Sequence, residues 1–315
     1  MKLSAIDIGT NTFLMVIAEQ VHPNVPIRIL EDIHAIARLG ENVDTTRYIS
    51  VEAYRRAEKI ANEYRRICTA YNVQYIRAVA TSAVRDALNG KEICNKLSAV
   101  LGTTVYIISG DEEARFSFLG INGTMNKKTV IDIGGGSTEY ITGEDKSIYC
   151  RMSLQIGAVR LHERYFQSLP PSYQSIENAR SEIRQHLRAL PQASFVLSND
   201  SAELGEFIGV GGTCTTLAAI DAGLQEFDSQ RIEGYSLPAL RIHDITNYLL
   251  NTPLLHLLKN PAIHPQRADI LPAGALILDE TMKFFNLSSC RVSTKGLRYG
   301  VLYETFERLN RHRLK

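Results

Sequence analysis

The 315-residue sequence has almost no net charge and no long apolar run. Its 35 basic and 34 acidic residues leave a formal charge of +1, so the whole molecule does not attract polyanions and any anion site must be local. No stretch approaches the roughly 20 apolar residues that span a bilayer. The chain starts with a predicted strand at residues 3–8, not with a basic segment and an apolar signal core. We therefore expect neither a membrane protein nor a nucleic-acid binder.

Cysteine and histidine are also sparse and ungrouped. None of the five cysteines belongs to a C-x-x-C pair, and none of the eight histidines has another histidine four residues away. This pattern is typical of a reducing cytoplasm and argues against a disulfide framework or a structural zinc site. We expect a cytoplasmic protein whose cysteines are free, namely Cys68, Cys94, Cys150, Cys214 and Cys290.

Glycine, in contrast, is concentrated in three short segments. The run Val-Ile-Asp-Ile-Gly-Gly-Gly-Ser at residues 130–137 aligns without a gap with Ala-Ile-Asp-Ile-Gly-Thr-Asn-Thr at residues 5–12. A third loop, Gly-Val-Gly-Gly-Thr, occupies residues 209–213. Glycine is the costliest residue to order, but its backbone N–H groups can approach a phosphate without a Cβ in the way. Two matched strand–turn–strand units and a third loop indicate a duplicated fold with facing phosphate loops.

Acidic residues accompany both matched turns. Asp7 and Asp132 occupy equivalent positions near the ends of the two strands, and Glu139 follows the second turn. A single aspartate before glycine is commonly a turn cap, whereas a matched pair favours phosphate or metal handling. Asp132 and Glu139 would repel a bare phosphate. We therefore expect a divalent cation, Mg²⁺ or alternatively Mn²⁺, to mediate phosphate binding.

Three further acids, Asp111, Glu112 and Glu113, stand at the start of a predicted helix. Acids at this position gain about 0.3–1 kcal/mol each from the helix dipole. One or two acids suffice for that purpose, so the third is available for another role. A carboxylate at a strand-to-helix junction beside a phosphate site could act as a general base for water.

Arg85 and a group of three further arginines each admit both a functional and a structural interpretation. Arg85 lies one turn into a predicted helix, where it could form a surface ion pair with Asp86 or Glu92 or act as a bidentate phosphate clamp. Three more arginines recur at i, i+4 and i+8 on one predicted helix face, namely Arg180, Arg184 and Arg188. This stripe could track a polyanion, but a solvated face or ion pairing with another domain is the favoured interpretation.

Strands and helices alternate along both halves of the chain, which indicates two α/β domains. Ser50 is predicted to cap an amphipathic helix that continues to about residue 71. Residues 37–47 are predicted to form a polar loop and residues 267–285 a helix, whereas residues 222–242 show no clear pattern. The polar stretch at residues 120–128 is the predicted linker.

These segments together resemble the phosphate loops of actin-like ATPases, sugar kinases and heat-shock chaperones. A narrower resemblance is to the exopolyphosphatase and guanosine pentaphosphate phosphohydrolase (Ppx/GppA) family. It rests on Ala-Thr-Ser-Ala-Val-Arg at residues 80–85, Ile-Ser-Gly-Asp-Glu-Glu-Ala-Arg at residues 108–115 and Gly-Leu-Arg-Tyr-Gly-Val-Leu-Tyr at residues 296–303. It covers nearly the whole chain. The resemblance implies two duplicated actin-like (ribonuclease H-like) α/β domains, 1–123 and 124–296, with an interdomain cleft and a last helix, about 297–315, packed back on the first domain.

The resemblance also implies a role for individual residues. Glu113 would be the base that activates water, and Arg85 would grip the terminal phosphates. Asp132, with Glu139 and Asp7, would support Mg²⁺. The implied phosphate-binding positions are Gly9, Thr10, Asn11 and Thr12 in the first turn, Gly134, Gly135, Gly136 and Ser137 in the second, and Gly211, Gly212 and Thr213 in the third.

The implied activity is exopolyphosphatase: Mg²⁺-dependent hydrolysis of the terminal phosphate of inorganic polyphosphate, with guanosine pentaphosphate as the alternative substrate. Two alternatives from other classes are an ATP-dependent small-molecule kinase of the same superfold and a non-catalytic sensor of alarmone or polyphosphate. Relatives are often dimers, which implies a homodimer. One departure is Lys295, which puts a cation where many relatives carry none, and its role stays open.

Overall fold

The structure is a computed structural model that describes residues 1–121, 126–191 and 205–313. The chain divides into two compact units, one formed by Met1–Ile121 together with Gly296–Lys315 and the other by Asn122–Lys295. The predicted boundary between residues 123 and 124, at the centre of the predicted linker, lies outside the described residues. Within the described ranges, no helix has the length and apolar character needed to span a membrane.

The first unit is a five-stranded mixed sheet covered by helices. The sheet order is β3-β2-β1-β4-β5, in which β1, β4 and β5 are parallel and β1, β2 and β3 are antiparallel neighbours. Its elements are β1 (Lys2–Ile8), β2 (Thr12–Glu19), β3 (Arg28–Ile36), α1 (Val43–Thr46), α2 (Val51–Ala70), β4 (Tyr75–Ala80), α3 (Ser82–Asp86), α4 (Gly90–Leu101), β5 (Val105–Ile107), α5 (Gly110–Gly120) and the C-terminal helix (Leu297–Arg313).

The central strand β1 is buried on both faces because successive side chains point to opposite sides of a sheet. Ile6 and Ile8 belong to the core cluster that includes residues of α2 and α4. Leu3 and Ala5 belong to the cluster formed with α5 and the C-terminal helix. Asp7 continues the alternation of Leu3 and Ala5, which places its carboxylate on the side of the C-terminal helix.

Glycine allows the C-terminal helix to approach α5 closely. A Cβ on Gly300 would lie 1.9 Å from the carbonyl oxygen of Phe116, and a Cβ on Gly120 would lie 2.1 Å from that of Gly296. These contacts explain the glycines at positions 120 and 300: any larger residue at either position would push the two backbones apart.

The second unit repeats the same scheme with one additional strand. Its sheet order is β10-β11-β9-β6-β7-β8, in which β6, β9 and β11 are parallel and β6, β7 and β8 are antiparallel neighbours. Its elements are β6 (Lys127–Ile133), β7 (Thr138–Glu144), β8 (Ser147–Leu154), α6 (Ala158–Tyr165), α7 (Tyr173–Arg188), β9 (Glu206–Val210), α8 (Gly211–Asp221), α9 (Ser229–Ile232), β10 (Ser236–Pro238), α10 (Ala239–Asn251), α11 (Leu254–Leu257), α12 (Leu271–Phe284) and β11 (Ser289–Val292).

The duplication extends beyond the glycine turns to an irregularity in the sheets. The register between β2 and β3 shifts between Ile17 and Ala18, and the register between β7 and β8 shifts between Thr142 and Gly143. The offset that carries Asp7 onto Asp132 also carries Ile17 onto Thr142. The two units therefore share a bulge as well as a strand order.

The structure confirms some local predictions and corrects others. Ser50 caps α2 as predicted, since its Oγ accepts the N–H of Ala53 at 3.1 Å. Residues 37–47 were predicted as loop but include the short helix α1, and residues 222–242 contain α9, β10 and the start of α10. The helix predicted from residue 267 begins at Leu271 because Pro265–Arg267 forms a separate 3-10 turn and a proline favours the first turn of α12.

Candidate active site

The turn between β1 and β2 is held by a segment that follows β3. The Gly9 N–H donates to the Thr12 carbonyl at 3.1 Å, which closes the turn. The Thr10 carbonyl accepts from the Gly40 N–H at 2.8 Å, and the Asn11 carbonyl accepts from the amides of residues 37 and 38, both at 2.9 Å. Because a peptide is planar, each held carbonyl turns the next N–H the opposite way. The amides of Asn11 and Thr12 therefore face away from the supporting segment.

The turn between β6 and β7 is built in the same way but is held by a helix. The Gly134 N–H donates to the Ser137 carbonyl at 3.0 Å. The first amides of α6, residues 158–160, donate to the carbonyls of Gly134 and Gly135 at 2.9–3.1 Å. Gly157, just before this helix, has no room for a side chain, because its Cβ would lie 2.4 Å from the Gly135 oxygen. The amides of Gly135 and Gly136 consequently face away from α6, as a phosphate nest requires.

In both units a helix starts beside the turn, at the end of the neighbouring parallel strand. In the first unit β4 leads into α3, and the Thr10 and Ser82 hydroxyls form a buried hydrogen bond at 2.7 Å. In the second unit β9 leads into α8, which starts at Gly211 with φ +86. A Cβ on Gly211 would lie 3.0 Å from Asp132 Oδ1, so this acid lies against the positive end of α8.

The second unit brings two acids together. Asp132 on β6 lies directly opposite Glu139 on β7, so both side chains point to the same face of the sheet. Glu139 is only 1% exposed, and its Oε1 accepts from the Ser153 hydroxyl at 2.7 Å. Like charges at directly opposed positions repel each other, and a cation between them would remove that cost. The position opposite Asp7 is Leu14, so the first unit has no equivalent pair.

Asp7 instead has a basic neighbour in its own unit. Arg298, on the C-terminal helix, donates two hydrogen bonds of 2.9 Å to the carboxylate of Asp32. Burial lowers the pKa of Arg298, but Asp32, Tyr299 and Asp7 raise it, and the net shift is upward. Asp7 thus lies within the electrostatic reach of a buried guanidinium.

The carboxylate pair suits Mg²⁺ better than a metal that needs a complete protein cage. Among the residues that the structure describes, no three side chains of the His, Cys, Asp and Glu types come together to hold a metal. Mg²⁺ typically takes one or two carboxylates and completes its shell with phosphate oxygens and water. Asp132 and Glu139 fit that requirement, and a thiolate or imidazole site for a softer metal does not arise there.

The three acids at the start of α5 have three different environments. Ser109 and Glu112 form a reciprocal capping box, in which the Glu112 carboxylate accepts the Ser109 N–H at 2.9 Å. Asp111 is exposed, whereas Glu113 is 7% exposed. Capping therefore accounts for Glu112 and leaves Glu113 as the one acid of the three that is buried.

Glu113 is held by Arg85. Arg85 Nη1 donates to Glu113 Oε2 at 3.0 Å and to the Ile108 carbonyl at 2.9 Å. This contact differs from the two surface ion pairs that were predicted for Arg85. Of those two acids, Glu92 pairs with Lys96. The other terminal nitrogen, Nη2, is buried and has no hydrogen-bond partner among the described residues. An oxygen of an anionic ligand would satisfy it.

A comparison with known proteins shows the family of this chain. The model of the Ppx/GppA phosphatase family matches residues 16–309. The chain belongs to that family. Exopolyphosphatase 2 of Mycobacterium tuberculosis is 32% identical over 292 residues, which cover 89% of each protein.

Solved structures of Ppx/GppA relatives have the same fold. The crystal structure of an exopolyphosphatase-like protein superposes with a TM-score of 0.89 at 29% identity, over 98% of this chain and 100% of the other. That of an exopolyphosphatase from Cytophaga hutchinsonii gives 0.88 at 26% identity, over 98% of both chains. The predicted α/β class with two actin-like domains is confirmed. Membership in the family makes the chain a phosphoanhydride hydrolase, which decides against the kinase and the non-catalytic sensor.

Several residues of the candidate site were not among the predicted ones. Gly40 and Gly157 support the two turns, and Arg267 contacts the third loop. Arg267 Nη1 donates to the Gly212 carbonyl at 3.1 Å, and burial lowers the pKa of Arg267 to about 10. Glycine is accepted at a helix N-cap, so Gly157, just before an amphipathic helix, is a sequence signal that could have been used. Arg267 has no such signal because it follows a proline turn far along the chain.

The predicted arginine stripe is not an unpaired basic face. Arg184 Nε lies 2.6 Å and Arg180 Nε lies 3.6 Å from the carboxylate of Glu280 on α12, which is itself 2% exposed. The hydrogen bond that Arg184 donates to Glu280 raises the pKa of Arg184. Arg180 and Arg184 therefore compensate a buried acid of their own unit, which corrects both the polyanion track and the pairing with another domain. Arg188, one turn further along α7, is exposed.

Proposed function

We propose that the protein is a Mg²⁺-dependent exopolyphosphatase in which Glu113 activates water for attack on the terminal phosphate of inorganic polyphosphate. The observation that supports this most is the buried pair of Glu113 and Arg85. The exopolyphosphatase names of the M. tuberculosis and C. hutchinsonii relatives favour polyphosphate over guanosine pentaphosphate.

Glu113 has the properties that a general base needs. It lies at the start of α5, and Arg85 fixes its orientation through Oε2. A carboxylate whose rotamer is set in advance can take a proton from water without reorganising during the reaction. Arg85 would also donate from its buried Nη2 to a phosphate oxygen. The same arginine would then orient the base and bind the substrate.

Each glycine turn has the properties of a phosphate-binding loop. In phosphoryl transfer the protein mainly positions the groups and stabilises charge on the equatorial oxygens. The outward amides of Gly135 and Gly136 suit a phosphate group, and within the first unit those of Asn11 and Thr12 have the same property. The Ser137 hydroxyl is 1% exposed and has no hydrogen-bond partner among the described residues, so it is a further donor for a ligand oxygen.

The metal would be held by Asp132 and Glu139 of the second unit. Bound Mg²⁺ would neutralise negative charge on the phosphate oxygens. The protein's own contribution is the directly opposed carboxylates, of which Glu139 is fixed by Ser153.

Phosphate release from three substrates tests the proposal. Long-chain polyphosphate, guanosine pentaphosphate and ATP are supplied at equal terminal-phosphate concentrations with Mg²⁺ or with EDTA. We expect the highest kcat/KM for polyphosphate and no release with EDTA. Faster release from guanosine pentaphosphate would reassign the substrate, and release that persists in EDTA would exclude the metal.

A further inference from the structure

Arg160 on α6 makes an unusual set of contacts to the glycine turn of the second unit. Its backbone N–H donates to the Gly135 carbonyl at 3.1 Å, and its side-chain Nε donates to the Gly136 carbonyl at 2.9 Å. Its Nη2 lies 3.4 Å from the Gln155 side-chain oxygen. One residue thus holds two successive carbonyls of the turn, the second of them through its guanidinium.

The matched turn of the first unit shows what this guanidinium replaces. Asn11 is the counterpart of Gly136, and its carbonyl is held by two backbone amides, at residues 37 and 38. In the second unit the backbone amides of α6 reach only Gly134 and Gly135. The last carbonyl of the turn is held by a side chain and can therefore be released by a single substitution.

The held carbonyl determines where the next amide points. The peptide between Gly136 and Ser137 is planar, so fixing the Gly136 oxygen toward α6 turns the Ser137 N–H away from α6. Consecutive glycines have little conformational preference of their own, so a contact from outside the turn must select this orientation. Without the Arg160 contact, the peptide could rotate and withdraw one donor from the nest.

We propose that Arg160 is a positioning residue, which holds the Gly136–Ser137 peptide so that its N–H faces the phosphate under attack. The inference rests on the proposed function only for the identity of the ligand as a phosphate. The Nε of an arginine is suited to this task because it lies in a rigid planar group, whereas the ammonium of lysine is a mobile point donor.

The test compares Arg160→Gln and Arg160→Lys with Arg164→Gln. Arg164 lies one turn further along α6 and pairs with Glu182 of α7, so its substitution also removes a cation from this helix. Two quantities are measured: kcat and KM for polyphosphate, and hydrogen–deuterium exchange of the peptide that contains residues 134–138. Exchange is followed with and without inorganic phosphate.

We expect Arg160→Gln to lower kcat by about 10- to 100-fold, the range that a small misplacement of a catalytic group produces. Exchange at residues 134–138 should accelerate, and phosphate should protect this peptide less than in the wild type. Arg160→Lys should recover less than half of the lost kcat, and Arg164→Gln should match the wild type in both measurements.

Three results would overturn the inference: wild-type kcat and exchange in Arg160→Gln, full recovery in Arg160→Lys, or equal losses in Arg164→Gln. Full recovery by lysine would mean that charge matters and the held carbonyl does not. Exchange does not depend on turnover. If the wild type releases no phosphate from polyphosphate, the proposed function fails, while the exchange at residues 134–138 still decides the role of Arg160.

Discussion

The ion pair between Arg85 and Glu113 should be measurable as a coupling free energy in the unligated protein. The two side chains are 20% and 10% exposed and are joined by one hydrogen bond of 3.0 Å. A hydrogen bond to a charged group contributes about 1.5–3 kcal/mol, and the partial exposure of Arg85 places this one near 2 kcal/mol. Arg85→Met and Glu113→Gln each remove one charge of the pair and leave the remaining charged residue without its counter-charge. The double variant should therefore lose about 2 kcal/mol less stability than the sum of the single variants.

Urea unfolding followed by circular dichroism gives the four free energies of this cycle, since the chain has no tryptophan to report on unfolding. The exposed pair of Arg66 and Glu63 is the matched control, because its side chains are 73% and 51% exposed although the ions are 2.6 Å apart. Its coupling should stay below about 0.5 kcal/mol. A coupling that small for Arg85 and Glu113 would refute the claim that Arg85 positions the base.

Two further predictions concern buried groups outside the catalytic chemistry. Glu280→Gln should lower the free energy of unfolding by about 2–3 kcal/mol because it leaves Arg180 and Arg184 without their buried acid, whereas Glu177→Gln should cost less than about 0.5 kcal/mol in the same urea experiment. Similar losses of stability in the two variants would contradict the assignment of Glu280 as the buried partner of Arg180 and Arg184. Burial raises the pKa of Cys290 to about 12 and that of Cys214 upward as well, so both thiols keep their protons in the folded chain and lose them in the unfolded one. The free energy of unfolding should consequently fall as the pH rises above about 9, and less steeply in Cys290→Ala; equal slopes would show that Cys290 is not buried.

The parts of the site that were predictable from the sequence are local in the chain. The glycine turns, their acids and the duplication lie within short segments, in which spacing alone carries the information. The start of α5 is equally local, and the helix dipole accounts for only one or two of its three acids, which is why a spare acid could be expected at residues 111–113.

The parts that were not predictable depend on contacts between distant residues. Neighbours in sequence offered Asp86 and Glu92 as partners of Arg85, but the fold pairs it with Glu113. The acidic partner of the arginine stripe was not predicted for the same reason, since Glu280 lies on another helix. Which peptide groups of a glycine turn point outward is likewise determined by whatever holds their carbonyls, and glycine itself does not encode that choice.

The central claim is that Glu113 is the base. Its most direct test compares phosphate release from polyphosphate by the variants Glu113→Gln and Glu112→Gln. The two residues are adjacent acids, but Glu112 serves the capping box and Glu113 is buried against Arg85. If Glu113 is the base, Glu113→Gln should lower kcat by about 10²- to 10⁴-fold, and Glu112→Gln should retain most of the activity of the wild type. Equal kcat values for the two variants would contradict the assignment of Glu113 as the base.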